Sequence, residues 1–314
     1  MEYVAAVDLG GTKIAAAIAG LDGRVLGRGV RPTAAGEGPG PVLGRMVEAV
    51  QEAAHAAGLD LGGARAMAVG APGPLDPEAG VVLESPNLGW RDVPLRDILA
   101  ERLGIPVRVE NDANLAAYGE YRYGAGQGAR YMVYLGIGTG IGFGLVVLGR
   151  IYHGATGNTE FGHMTVDLDG PLCGCGRHGC LEAIASGTAL AREARAIVAR
   201  RPDRLQPGET PAAPLVFRLA REGDGEAQQV LDRFVEALGA GVANLVNGLS
   251  PDRVVLGGGV MAAGDWLLER VREEARRRAF GAQWRATEVV RAGLGGDSGL
   301  YGAVALALDT VQGR

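Results

Sequence analysis

This 314-residue chain has few cysteines, no long apolar run and no excess of positive charge, and each shortage excludes a class of protein. No apolar stretch reaches the 18 or so residues that a membrane span needs, so no membrane partner is expected. Three cysteines are too few, and odd in number, for the disulfide framework of a secreted scaffold. Lys and Arg total 31 against 36 Asp and Glu, a net charge of −5, which gives no electrostatic case for nucleic acid. The opening residues, Met1 to Asp8, lack the basic stretch of a signal peptide and carry an acid early, so a cytoplasmic location is expected. Glycine, in contrast, is abundant at 53 residues and signals many tight turns and close backbone approaches. The length is enough for two domains with a sizeable core.

The three cysteines fall within one short stretch, at Cys173, Cys175 and Cys180, with Glu160 and His163 upstream and Glu182 just after. Small buried cysteines scattered through a core would not bunch in this way. A redox pair more often reads C-x-x-C. Three thiolates and one imidazole complete a tetrahedral zinc shell, and a shell filled by four protein ligands leaves no open position for catalysis. Spacing favours His163 as the fourth ligand. His178 is the competitor, from inside the loop between Cys175 and Cys180, where ligation would strain the turn.

The chain opens as strand, glycine turn, strand: Tyr3 to Val7, then Asp8 to Lys13, then Ile14 to Ile18. A third strand is expected at Val25 to Val30, a helix at Val42 to Ala57, and buried strands at Ala66 to Val69 and Val107 to Val109. The second half repeats this opening. Gly11-Thr12 matches Gly138-Thr139 at an offset of 127, at which Asp8 corresponds to Leu135, so the halves are not chemically equivalent. Helices follow at Ser186 to Ala199 and Val230 to Asn247, with a surface loop at Arg201 to Pro214. Val254 to Gly259 reads as a strand entering a glycine turn. The last helix starts near Asp297 and Ser298, which are suitable caps.

Two Gly-Thr turns offer backbone N–H groups to phosphates, although each is also compatible with a plain hairpin. Neither is a Walker loop or a dinucleotide fingerprint. Asp8 at a strand end favours the phosphate reading, because a carboxylate beside such amides needs a bridging cation, Mg2+ by preference. Lys13 is a charge partner or a solvated side chain. Asp112, at a strand-to-helix junction with Asn111 and Asn114, is the acid/base candidate, against the plainer role of a helix cap. His55 and His153 attract no functional reading, His153 having no matched partner.

Taken together, Asp8 to Lys13, Gly70 to Gly73, Ser85 to Trp90, Glu110 to Asn114, Glu160 to His163 and Cys173 to Glu182 resemble the ROK family of bacterial sugar kinases and repressors, most of all its glucokinases. The resemblance implies an α/β, actin-like (ribonuclease H-like) duplicated fold with a central cleft. Its domains would be 1–118 plus about 298–314, and a larger 119–297 carrying the zinc loop. It implies ATP held by Asp8, Gly10, Gly11, Thr12, Lys13, Gly138, Thr139 and Gly140, with adenine near Gly257, Gly258 and Gly259, and with Mg2+ and structural Zn2+ as cofactors. Asn111, Asp112, Glu160, His163 and Glu182 would contact a hexose, with Asp112 as general base, and Gly73 and Asn87 would line the same pocket. A homodimer or homotetramer is also implied.

One departure concerns the substrate. Family glucokinases often carry Gly before the pocket glutamate, where this chain has Thr159, a feature closer to family fructokinases. The cysteine loop is of the glucokinase kind. Glucose is therefore the expected acceptor, with fructose, N-acetylglucosamine and N-acetylmannosamine as alternatives and polyphosphate as another conceivable donor. A sugar-sensing regulator without kinase activity is the rival class. The family's repressors carry an N-terminal helix-turn-helix, for which the start of the phosphate motif at Asp8 leaves no room.

Overall fold

The computed structural model describes residues 1–313. Strands β1 (Tyr3–Leu9), β2 (Lys13–Gly20) and β3 (Val25–Pro32) open the chain, followed by helix α1 (Pro39–Ala57) and β4 (Met67–Ala71). A small ribbon of β5 (Leu75–Asp76), β6 (Val81–Ser85) and β7 (Trp90–Val93) leads to α2 (Leu95–Leu103), β8 (Val107–Asn111) and α3 (Asp112–Tyr123). The plan restarts with β9 (Tyr131–Ile137), β10 (Ile141–Val147) and β11 (Arg150–Ile151). Then come α4 (Leu181–Ala185), α5 (Gly187–Arg200), α6 (Ala213–Arg221) and α7 (Gly225–Leu249). Strand β12 (Arg253–Gly257), helices α8 (Asp265–Arg278) and α9 (Gly281–Ala286), β13 (Glu288–Arg291) and α10 (Ser298–Gln312) complete the fold. No helix among the described residues is long and apolar enough to cross a membrane.

The two five-stranded sheets share one order, β3-β2-β1-β4-β8 and β11-β10-β9-β12-β13. In the first, β1, β4 and β8 run parallel; in the second, β9, β12 and β13 do. The repeat seen in the sequence is therefore architectural. Its register differs from the Gly-Thr spacing: Tyr3–Leu9 and Tyr131–Ile137 start and end 128 residues apart, not 127. The β9 position equivalent to Asp8 is thus Gly136 and not Leu135.

The chain divides into two compact units. One takes Met1–Gln127, Gly144–Thr159 and the residues from Gly296 onward; the other takes Gly128–Phe143 and Glu160–Gly295. Residues 119–127 and 144–159 therefore belong with the first unit, whereas the sequence reading had placed them in the second domain. The reason is that α3 runs on to Tyr123, and that the division falls inside β10, so that the end of this strand and the segment up to Thr159 go with the first unit.

Period-two alternation decides the two faces of the first sheet. Tyr3, Ala5, Val7 and Leu9 of β1, with Ile14, Ala16 and Ile18 of β2, pack with α1 residues Val42, Met46 and Val50. Val4 and Ala6, with Ala15, Ala17 and Ala19, pack on the other face with Leu115 of α3 and Leu300, Val304 and Leu308 of α10. That second face is almost all alanine, so α10 can approach closely. Asp8 follows the even positions and faces the same way. A Cβ on Gly299 would sit 2.9 Å from Asp8 Oδ2, so the glycine leaves the room that the carboxylate occupies. The buried Tyr118 and Asp309, with the partly exposed Arg122, form a polar lock between α3 and α10, in which Arg122 Nη1 donates to Asp309 Oδ1 at 2.9 Å.

The expected caps of the last helix are not realised. Asp297, at the cap position, accepts no capping bond and instead pairs with Arg28 at 2.8 Å, while Ser298 Oγ donates to Glu120 Oε1 at 2.7 Å. The 201–214 loop is tied down rather than free, because Arg201 binds the α7 cap Asp224 through both guanidinium nitrogens at 2.7 and 3.0 Å. That pairing holds the Asp224 carboxyl down at about 2.

Candidate active site

In the first unit, three parallel strands bring their carboxyl ends together. Asp8 lies opposite Gly70, and Gly70 opposite Glu110, so Asp8 and Glu110 flank a glycine in one row. At about 4.8 Å between strands the two acidic positions are about 10 Å apart. The end of a parallel sheet is where ligands of open α/β proteins bind. Burial raises the Asp8 carboxyl to about 6, against the opposing pull of Lys13 and with Asp297 adding to the rise. The turn beside it is closed by Gly10 N–H donating to Lys13 O at 2.9 Å, and Gly11, Thr12 and Lys13 are exposed. Asn87 lies against this turn, 4.0 Å from where a Gly11 Cβ would be.

Asn111, the last residue of β8, caps α3: its Oδ1 accepts from Ala113 N at 2.9 Å and Asn114 N at 3.1 Å. The cap role considered for Asp112 thus falls to its neighbour. Asp112 is partly exposed and sits at the positive end of a 12-residue helix, with Oδ1 accepting from Ala113 N at 2.8 Å. Asn114 turns inward and donates to Glu110. Sequence reasoning missed one partner. His153, read as unmatched, places Nε2 2.7 Å from Oε2 of the buried Glu110. Two residues 43 positions apart, on a strand and a loop, carry no local signal of this pairing.

The second unit holds the other expected residues. Gly138 N–H closes its turn onto Gly140 O at 2.9 Å, and the start of α5 donates back to it, from Gly187 N to Gly138 O at 2.7 Å. Glu182 Oε2 accepts from Ile141 N at 2.9 Å, and a Cβ at Gly140 would collide with that oxygen. Gly257 ends β12 and pairs with Gly136 of β9, and Gly258 and Gly259 follow it, so this glycine turn lies next to the Gly138 turn. Glu160 is accessible on one side; desolvation of its other surroundings lifts its carboxyl above the ordinary range, Glu182 adds to the rise and His163 opposes it.

His163, Cys173, Cys175 and Cys180 each offer one ligand atom, and these atoms all lie within 4.8 Å of one another. Cys173 Sγ is 3.6 Å from His163 Nδ1, and Cys175 Sγ is 3.6 Å from Cys180 Sγ. Ligands of a tetrahedral zinc with bonds of about 2.0–2.3 Å are about 3.3–3.8 Å apart, so the donor set fits that ion. His178 lies outside the group: it is exposed, with Nδ1 on Gly170 O at 3.1 Å. The knot is bound by Cys173 N to Arg177 O at 2.7 Å and Leu181 N to Met164 O at 2.9 Å. It thereby fixes the 160–163 turn against α4, which carries Glu182.

The shared sheet order and the glycine turns define an actin-like, duplicated α/β protein. The chain belongs to the ROK family, whose description matches residues 4–310. It is 37% identical to a glucokinase of Thermotoga maritima, over 98% of each chain. Among solved structures it is similar to a ROK hexokinase from Thermus thermophilus, with 40% identity, TM-score 0.85 and coverage of 99% of this chain and 100% of that one. A ROK glucokinase from Streptomyces griseus, in complex with glucose and AMPPNP, matches with 38% identity, TM-score 0.82 and coverage of 97% and 99%.

Proposed function

We propose that this chain is an ATP-dependent hexose kinase that forms glucose 6-phosphate. The observation that carries the reading is end-to-end similarity to glucokinases together with the strand-end placement of Asp8, Asn111 and Asp112. Phosphoryl transfer asks for positioning and charge stabilisation more than covalent chemistry. In this reading Asp112 accepts the proton of the attacking sugar hydroxyl as that oxygen bonds to the γ-phosphorus and the bond to the β,γ-bridging oxygen breaks. Asn111, Glu160, His163 and Glu182 hold the other hydroxyls. Asp8 would hold Mg2+, which supplies charge neutralisation between phosphates, while Gly10 to Lys13 and Gly138 to Gly140 offer N–H groups to the phosphates and Gly257 to Gly259 border adenine. A buried carboxyl raised to about 6 ionises at neutral pH and is ready for a cation.

His163, Cys173, Cys175 and Cys180 would hold structural zinc. With Nδ1 toward the sulfurs, His163 keeps Nε2 to donate to sugar, its tautomer fixed by the metal. The test is ADP release with Mg·ATP against glucose, fructose, mannose, N-acetylglucosamine and N-acetylmannosamine. Turnover on glucose above the rest supports the reading; preference for fructose would trace to Thr159; no turnover on any sugar would favour the sensor.

A further inference from the structure

We propose that His153 is a positioning residue for phosphoryl transfer, acting through Glu110 on the β8–α3 junction. Glu110 is 1% exposed, yet both of its oxygens are engaged. Oε1 accepts from Asn111 N at 2.9 Å and from Asn114 Nδ2 at 2.9 Å, and Oε2 faces His153 Nε2 at 2.7 Å. Oε1 takes two donors, and with Glu110 as a carboxylate Oε2 is an acceptor too, so His153 supplies Nε2–H. Glu110 therefore clamps the backbone of Asn111 and the first turn of α3, the two features that orient Asp112. Its ion-pair partner, when the imidazole is protonated, is His153, whose side chain is 36% exposed. The same contact, with Asn158 Nδ2 donating to Leu75 O at 3.2 Å, pins the segment that leads to Glu160. The Glu110 hydrogen bond raises the His153 imidazole above its ordinary value; partial burial and Arg108 oppose the rise, and Glu78 adds to it.

This inference rests on the reading of Asp112 as base, and the experiment separates the two. Asp112→Asn tests that reading alone: full turnover there removes it, whatever His153 does. For the inference, kcat and the KM for glucose are measured for His153→Ala, His153→Asn and His153→Gln. The Gln amide nitrogen reaches the place of Nε2, whereas Asn reaches that of Nδ1. We expect kcat to fall about 10- to 100-fold for Ala and Asn, with KM for glucose within about threefold, and Gln to restore most of the loss. With four histidines in the chain, the His153 NMR signal is assigned by its disappearance in His153→Gln, and it should titrate above the ordinary pKa of about 6.5 in the wild type. Wild-type kcat in the Ala variant, equal loss in Gln and Asn, or an ordinary titration would each overturn the proposal.

Discussion

The two glycine turns occupy the same place in two sheets of the same order, yet their surroundings differ in kind. The first has Asp8 in the strand before it and Lys13 after it. The second has Gly136 and Ile141 at the corresponding positions and is steadied from outside, by Glu182 and the start of α5. Both turns close on themselves through a backbone hydrogen bond, but the first carries Asp8 and Lys13 on its own strands, whereas the second borrows its carboxylate, Glu182, from α4. The cluster of His163, Cys173, Cys175 and Cys180 lies in the unit of the second turn, whereas Asp8 and Lys13 lie in the other.

The largest break in this comparison is expected at Asp112. Asp112→Asn keeps the bond to Ala113 N but cannot take a proton, so kcat should fall about 10²–10⁴-fold with the glucose Kd nearly unchanged. Steady-state kinetics and calorimetric glucose binding check this; near-normal turnover in a folded variant would remove the general-base role.

Asp8 comes next. Its carboxyl titrates at about 6, so kcat/KM for Mg·ATP should decline about tenfold per pH unit below that value. The folded pKa is raised from 3.8, so this group favours folding below that pH, and the contribution disappears as pH rises through about 6. Asp8→Asn should therefore lose about 10²-fold or more in activity while raising the melting temperature at pH 7.5 by about 2–4 °C. A loss of both activity and stability would mean that Asp8 is a structural acid. In the other unit, Cys175→Ser should strip zinc, lower the melting temperature and weaken glucose binding about 10- to 100-fold, with a smaller effect on the ATP KM. Metal analysis beside both titrations decides it, and reduced wild-type protein without zinc would remove the brace.

Much of this was legible in the sequence because it is local. Strand β1, its turn and β2 are contiguous, and so are the cysteine loop and the β8–α3 junction, so apolar runs and short spacings located them. The choice of His163 over His178 also followed from turn geometry. What stayed hidden needed the third dimension. His153 meets Glu110 only because the segment after β10 returns to the first unit, which also moved the domain boundary. Asp297 and Ser298 have the composition of caps, but Arg28 and the buried Glu120 claim them. The 127-residue spacing of the Gly-Thr pairs concealed a strand register of 128, because identical dipeptides need not hold identical places in a turn.

The smallest expected effect tests the charged turn most finely. Lys13 is the only lysine in the chain; every other fixed cation is arginine. A chain that uses guanidinium everywhere else and ammonium here points to a site where a compact point charge serves and a planar fork does not. The exposed side chain already attracts Asp8, so Lys13→Met removes a cation from both the carboxylate and the phosphates. It should raise the ATP KM about 10-fold and move the acidic limb of the pH profile upward, since Asp8 loses the attraction that keeps its pKa down. Lys13→Arg keeps the charge, so the acidic limb should stay in place while the ATP KM rises only about two- to fivefold, with glucose KM unchanged in both. An Arg variant as impaired as Met would mean that shape dominates over charge at this turn; an unimpaired Met variant would make Lys13 a solvated side chain and leave Asp8 as the one charge on the flanking strands that sets the first turn apart.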